Sequence, residues 1–263
     1  MQSYRNYTLA LKNKNFIELL HELNFLNIEL TFRAIIRKIQ AIFGIVNVSY
    51  FEMMKLVFRR LYIQLKGLIR SHFLRLCGLK IGKNTRIFGK TIIKGNRKNI
   101  IIGNQVSILG NIQLITEYSR SRELIQIGDN TIIDNDTILF SHGGQLIIGS
   151  DCFIGSSVRI QAKGGVYIGN DTMIAANTSI FASNHITDRN DVPYKKQGEK
   201  FIGISIGQNC WIGSNVVILD GADIGDSCII GANCIIKGQY PSNSKIVAKE
   251  IIGKPYNESE KRE

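Results

Sequence analysis

Residues 206–236 read IGQNCWIGSNVVILDGADIGDSCIIGANCII, and isoleucine returns at every sixth position: Ile206, Ile212, Ile218, Ile224, Ile230 and Ile236. Glycine follows four of them, as Gly207, Gly213, Gly225 and Gly231. Four positions after each isoleucine stands a compact residue (Cys210, Val216, Ala222, Cys228, Cys234), with Tyr240 breaking the rule at the end. An amphipathic helix repeats near 3.6 and a half-buried strand at 2, so a strict six fits neither. It fits a solenoid in which each hexad is a short strand and a turn and three hexads close one triangular coil. Inward aliphatics then stack one coil above another.

The same register runs backward with interruptions. Ile168, Ile174 and Ile180 make one coil; Ile148, Ile154 and Ile160 another; Ile127, Ile133 and Leu139 a third; Ile102, Ile108 and Leu114 a fourth; Ile81 and Ile87 begin a fifth. Coil starts at 102, 127, 148, 168, 206 and 224 lie 25, 21, 20, 38 and 18 residues apart. Against a repeat of 18, the short excesses fall at coil ends, where a turn lengthens without disturbing stacked strands. The excess of twenty between Ile180 and Ile206 adds nothing to solenoid stability, and long ordered loops are disproportionately functional. The expected organisation is a helical region at 1–79, a β-helix at 80–256 with an inserted loop at 184–204, and a polar tail at 257–263.

Composition bounds the function. A hydrophobic content of 44% supplies a core, and three prolines argue against long disordered linkers. Cys152, Cys210, Cys228 and Cys234 occupy the inward fifth hexad position and read as small buried hydrophobes rather than disulfide partners. Lys12, Lys14, Glu18 and Glu22 interrupt any leader-like apolar run, and no uncharged stretch is long enough to span a bilayer, so a cytoplasmic location is expected. The net charge of +12 is uneven: residues 32–100 carry 16 Lys/Arg and one acid, Glu52, whereas residues 101–263 carry 14 Lys/Arg and 17 Asp/Glu. Such asymmetry points to an anionic partner for the N-terminal region.

Residues from about 15 to 77 read as helices. One carries Phe32, Ile35, Ile36, Ile39, Ile42 and Phe43. A second begins at Ser49 with Glu52 as a capping box, runs an apolar face through Met54, Val57, Phe58, Leu61, Leu65, Leu68 and Ile69, and ends at Gly78. Its other face carries Lys55, Arg59, Arg60, Lys66, Arg70 and Arg75. Two roles fit: covering the open end of the solenoid, or resting on the anionic inner face of a membrane as a peripheral contact. Nucleic acid is not expected, because the aromatics fall on or near the apolar face.

Of the four histidines, His185 stands at the mouth of the long insertion, where an imidazole can act as general base near neutral pH. His142, in Phe140-Ser141-His142-Gly143-Gly144, reads as a corner residue or as part of an acceptor cleft. His21 and His72 belong to the helices.

The hexads, Asn184-His185 before a loop, the segment 198–207 (GEKFIGISIG) and Cys210-Trp211-Ile212-Gly213-Ser214 resemble the left-handed parallel β-helix acyltransferases built from hexapeptide repeats. The likeness is nearest to the galactoside, maltose and xenobiotic acetyltransferases and to polysaccharide O-acetyltransferases. It covers about residues 81–256. The resemblance implies a homotrimer with active sites between subunits, acetyl-CoA as donor lying between two β-helices, no metal, and a sugar or polysaccharide hydroxyl as acceptor. It makes His185 the catalytic base and Asn184 a substrate neighbour, sets Trp211, Ser214 and Ala232 along the coenzyme A groove, and offers Lys237 to its phosphates. The family's basic residues after Gly-x-Pro reduce here to Lys254, with Lys249 nearby. Lys163 stands where relatives carry acidic residues in the acceptor pocket, which favours an acidic sugar over a neutral galactoside.

Four other readings compete. A γ-carbonic-anhydrase-type hydratase shares the β-helix but needs three histidines on one zinc, and the repeats offer two. An acyl-carrier-protein donor would suit the basic helices. A non-catalytic scaffold leaves His185 unexplained. Serine acetyltransferases join helices to a β-helix but differ in the last coils.

Overall fold

The computed structural model describes residues 48–117 and 123–248. The first predicted helix, His21, Lys249 and Lys254 lie outside them. The chain divides into two compact units, residues 1–60 and 61–263. Of the first, the described residues are the opening turns of a helix, Val48–Leu76. The second holds the rest of that helix and a parallel β-solenoid.

The solenoid has three faces. Two are sheets of eight short strands and the third a sheet of seven, each strand hydrogen-bonded to its counterpart one coil away. In the first sheet Ile102, Ile127, Ile148, Ile168, Ile206 and Ile224 are in register. Those pairings reproduce the spacings of 25, 21, 20, 38 and 18 residues read from the sequence. The last step departs from the rhythm: Ile224 pairs with Tyr240. Tyr240 therefore takes the isoleucine position of a shortened coil instead of the fifth hexad position, and it packs half-buried against the end of the core. Ile81 and Ile87 begin the first coil as expected.

Side chains alternate along each strand, so one isoleucine per hexad points inward. Ile133, Ile154, Ile174, Ile212 and Ile218 are fully buried, and Cys152, Cys210, Cys228 and Cys234 line the same interior. Burial pushes the Cys152 and Cys210 thiols above their ordinary pKa. The sharp turns between faces need left-handed backbone. Asn, Asp and Ser supply it at Asn130, Asp151, Asp171, Asn209 and Ser227, the side chains that tolerate it best after glycine.

The helix ends as its sequence predicts. Gly78, at φ +93°, lets its N–H reach the Arg75 carbonyl at 2.9 Å while Leu79 N–H reaches the Leu74 carbonyl at 3.2 Å. That pair is a Schellman closure, and Leu74 and Leu79 pack together into the core end. The expected basic face divides differently. Arg70 donates to the carbonyls of Phe88, at 2.7 Å, and of Gly89, and Arg75 to those of Ile81, at 2.8 Å, and of Gly82. Among the described residues no coil precedes the first to pair these carbonyls, and two guanidinium groups stand in for a strand. Gly67 and Ser71 form the buried side of this segment. A Cβ on Gly67 would lie 2.9 Å from the Phe88 ring, so the helix needs a small residue to approach the coil. Leu61, Leu65 and Ile69, on the predicted apolar face, are exposed.

Candidate active site

The insertion opens and closes as a hairpin. Asn184–His185 pairs antiparallel with Glu199–Lys200, placing Asn184 opposite Lys200 and His185 opposite Glu199. Ile186 N–H donates to the Gly198 carbonyl at 3.1 Å. Between the strands runs one helical turn, Tyr194–Gln197. Gln197 Nε2 donates to the carbonyls of Arg189 and Val192, both at 2.7 Å, while its Oε1 accepts from Arg189 N–H at 3.1 Å. The returning chain is held by Asp220, which is 6% exposed. Its carboxylate accepts the N–H of Ile202 at 3.0 Å and of Gly203 at 2.9 Å. Gly203 sits at φ +102°, which a side chain rarely tolerates.

A second anchor ties the hairpin to the coil before it. Lys163, in the turn after the strand Arg159–Gln161, bonds Glu199 through its ammonium group. The same ammonium lies 5.5 Å from the Phe201 ring centroid. Gly164 allows this approach, since a Cβ there would lie 2.8 Å from Phe201 Cβ and 2.9 Å from Gly203 N. The Lys163 bond holds the Glu199 carboxyl below its ordinary pKa, and the neighbouring His185 and His142 add to the effect. The cation expected to face an acidic sugar is thus already paired within the chain.

His142 joins the same corner from one coil further back. Phe140, Gln161 and Phe181 are in register across the third sheet. Their outward side chains make a ledge on which the His142 ring stacks against Phe140 at 4.5 Å between centroids. His142 Nδ1 lies 2.6 Å from Gln161 Nε2, and its Nε2 lies 3.8 Å from the Glu117 carboxylate. Glu123, nearly fully buried, fixes this turn by accepting from Gly143 N–H at 3.1 Å and from the Ser141 hydroxyl. The left-handed φ of +50° at His142 belongs to the turn itself.

His142, Lys163, Asn184 and His185 therefore share one corner, between the third sheet and the first. Of the donor-side residues, Trp211, Ser214 and Ala232 do not join them within one chain. Trp211 projects from the middle of the second sheet, 52% exposed, in register with Met173 and Ile229. Ser214 and Ala232 occupy the turn from the second sheet to the third, one coil apart, with Asn233 N–H bonded to the Ser214 carbonyl at 3.0 Å. Lys237 is exposed on the corner of His185, beyond Ile236. Sequence reasoning assigned no role to Glu199, Glu123, Gln161 or Asp220. Among the described residues, no three His, Cys, Asp or Glu side chains converge as a metal site.

The family description "Bacterial transferase hexapeptide (six repeats)" matches residues 203–238, and "Hexapeptide repeat of succinyl-transferase" matches residues 145–182. The chain is 31% identical over 154 residues to the "Putative lipopolysaccharide biosynthesis O-acetyl transferase WbbJ" of Escherichia coli K12, covering 55% of this chain and 78% of that protein. It is 33% identical over 118 residues to the galactoside O-acetyltransferase of the same organism, 44% of this chain and 56% of the relative. The match thus spans little more than half that relative's length. A solved structure of an AntD variant, an N-acyltransferase from Bacillus cereus in complex with dTDP and coenzyme A, superposes with a TM-score of 0.50 at 20% identity. It covers 68% of this chain and 84% of that one, and the likeness extends to the fold.

Proposed function

The chain belongs to the bacterial hexapeptide-repeat transferases, and on that premise we propose that it is an acetyl-CoA-dependent O-acetyltransferase for a hydroxyl of a bacterial surface-polysaccharide sugar, as in capsule, O-antigen or exopolysaccharide. The observation that carries the reading is His185, an exposed imidazole on an ordered hairpin, directly opposite a carboxylate held charged by Lys163. The similarity to the lipopolysaccharide O-acetyl transferase supports the acceptor class.

In this reading His185 takes the proton from the acceptor hydroxyl as its oxygen attacks the thioester carbonyl. The tetrahedral intermediate collapses, the C–S bond breaks, and the proton passes from His185 to the departing thiolate. One group thus serves as base and then acid, a role typically contributing about 10²–10⁴ in rate. Gln161 and Glu117 orient His142, which faces the acceptor side. Trp211 offers an aromatic wall, Ser214 and Ala232 a small-residue groove, and Lys237 a cation to the donor; these suit a coenzyme A arm with phosphates at one end.

Trp211, Ser214 and Ala232 stand away from the corner of His185, so in this reading a complete site draws on a second copy. A trimer built on the second sheet supplies it. Ile132, Phe153, Met173, Trp211 and Ile229 form a continuous outward column there, each 37–52% exposed. A lipid-carried acceptor would place the reaction at the cytoplasmic face of a membrane. Incubating the protein with acetyl-CoA and a panel of sugars and lipid-linked sugars, with mass-spectrometric detection of a 42 Da gain (the mass of an added acetyl group), tests the function; hydrolysis or transfer to amines alone would refute it.

A further inference from the structure

The helix from Leu61 to Leu76 is turned with its apolar stripe away from the solenoid. Leu61, Leu65, Ile69 and Leu76 are 53, 57, 65 and 75% exposed, and their spacing keeps them on one helical face. Gly67 and Ser71, on the opposite side, make the contact with the first coil. The surrounding charge has one sign: residues 61–100 contain ten Lys/Arg and no Asp or Glu. Arg70 and Arg75 are engaged by coil carbonyls, but Lys80, Lys83, Lys90, Lys94 and Lys98 are exposed. Between the helix and the first coil runs a groove of about 530 Å³ lined by Leu68, Ile69, His72, Arg75, Lys83 and Asn84. Its walls pair aliphatic side chains with cations. Among the described residues no helix is long and apolar enough to cross a membrane.

We propose that this face docks on an anionic bilayer, the aliphatic stripe entering the headgroup boundary and the groove receiving a lipid phosphate beside Lys83. An interfacial helix needs these two features together, apolar area and cations, and each cation near an anionic surface contributes about fivefold in affinity. Nucleic acid suits the charge but not the stripe, which offers aliphatic side chains where bases need aromatic ones. A second copy of the chain would set two like-charged faces against each other. This surface would serve a peripheral location at the membrane. It rests on the transferase reading only for its purpose, because binding is measured without turnover.

The test is co-sedimentation of the full-length protein with vesicles of phosphatidylcholine alone or mixed with phosphatidylglycerol. Binding is expected to the mixed vesicles, to weaken with added salt, and to be at least about tenfold poorer to phosphatidylcholine alone. Leu65→Ser with Ile69→Ser alters only exposed positions and is expected to reduce binding about tenfold or more. Lys83→Glu is expected to reduce it about fivefold or more. Acetyl transfer to a soluble acceptor is unaffected by either variant. Equal binding to both vesicle types, unchanged binding by the variants, a loss of self-association on Leu65→Ser with Ile69→Ser, or tighter capture by duplex DNA than by the mixed vesicles would each overturn the proposal. Absence of transferase activity alongside intact vesicle binding would overturn the functional reading and leave this one standing.

Discussion

His185 and Glu199 face each other across the antiparallel ladder that opens the insertion, and Glu199 is held at the same time by Lys163 from the coil before it. The solenoid supplies rigidity, and this three-residue chain passes it to a side chain that stands outside the coils. Residues opposite one another in such a ladder are direct neighbours, so fixing one constrains the other.

Breaking the tie is expected to loosen the hairpin without unfolding the solenoid. Glu199→Lys and Lys163→Glu should each lower kcat about tenfold or more, consistent with misplacement of a reacting group. The swapped pair, carrying both changes, should recover a large part of the loss. A double variant no better than the worse single one would show that the ion pair does not place His185.

The tie also titrates. Lys163 lowers the pKa of Glu199, so its contribution is fully present above the ordinary carboxylate range and is lost as pH falls through the lowered pKa. Hydrogen exchange of the Ile186 amide, corrected for intrinsic rate, should show protection near pH 7 that declines below about pH 4. Constant protection across that range would contradict the assignment.

Arg75 is expected to stabilise by capping rather than by charge. Arg75→Ala leaves the Ile81 and Gly82 carbonyls without the guanidinium and should cost about 1.5–3 kcal/mol in denaturant unfolding. Arg75→Lys should recover little, because one ammonium does not reproduce the fork. Loss of less than about 0.5 kcal/mol would place the carbonyls' partners elsewhere.

Native mass spectrometry should find three chains per particle. Phe153→Lys with Met173→Lys puts two charges into the exposed column of the second sheet and should yield monomers with unchanged β content. Monomers in the unaltered protein, at concentrations where it is active, would refute the shared site.

The ladder was legible because each hexad repeats the same physical demand, one inward aliphatic and one tight turn. Register and insertion lengths from Ile102 to Ile224 followed, as did the burial of the four hexad cysteines; the shortened last coil at Tyr240 did not. What escaped was whatever depends on which coil lies over which corner. Lys163 and Glu199 are 36 residues apart in the chain, and Lys163 read as a free cation until the turn brought them together. Glu123 and Asp220 serve as anchors for backbone N–H groups, a role that leaves no periodic trace. The side of the helix that meets the coil escaped for a related reason. Its apolar stripe is the strongest pattern in that segment, yet contact with the first coil needed small residues and two arginines, so Gly67 and Ser71 face inward and the stripe faces out.

The proposed function stands or falls on His185 as the base for acyl transfer to a hydroxyl. The most direct measurement is the rate of acetyl transfer from acetyl-CoA by His185→Asn beside the unaltered protein, with the best acceptor from the sugar screen and the same thermal melt and particle mass for both. A fall of about 10²–10⁴ in kcat, with particle and melt preserved, is expected. Turnover within a few-fold of the unaltered protein would contradict it.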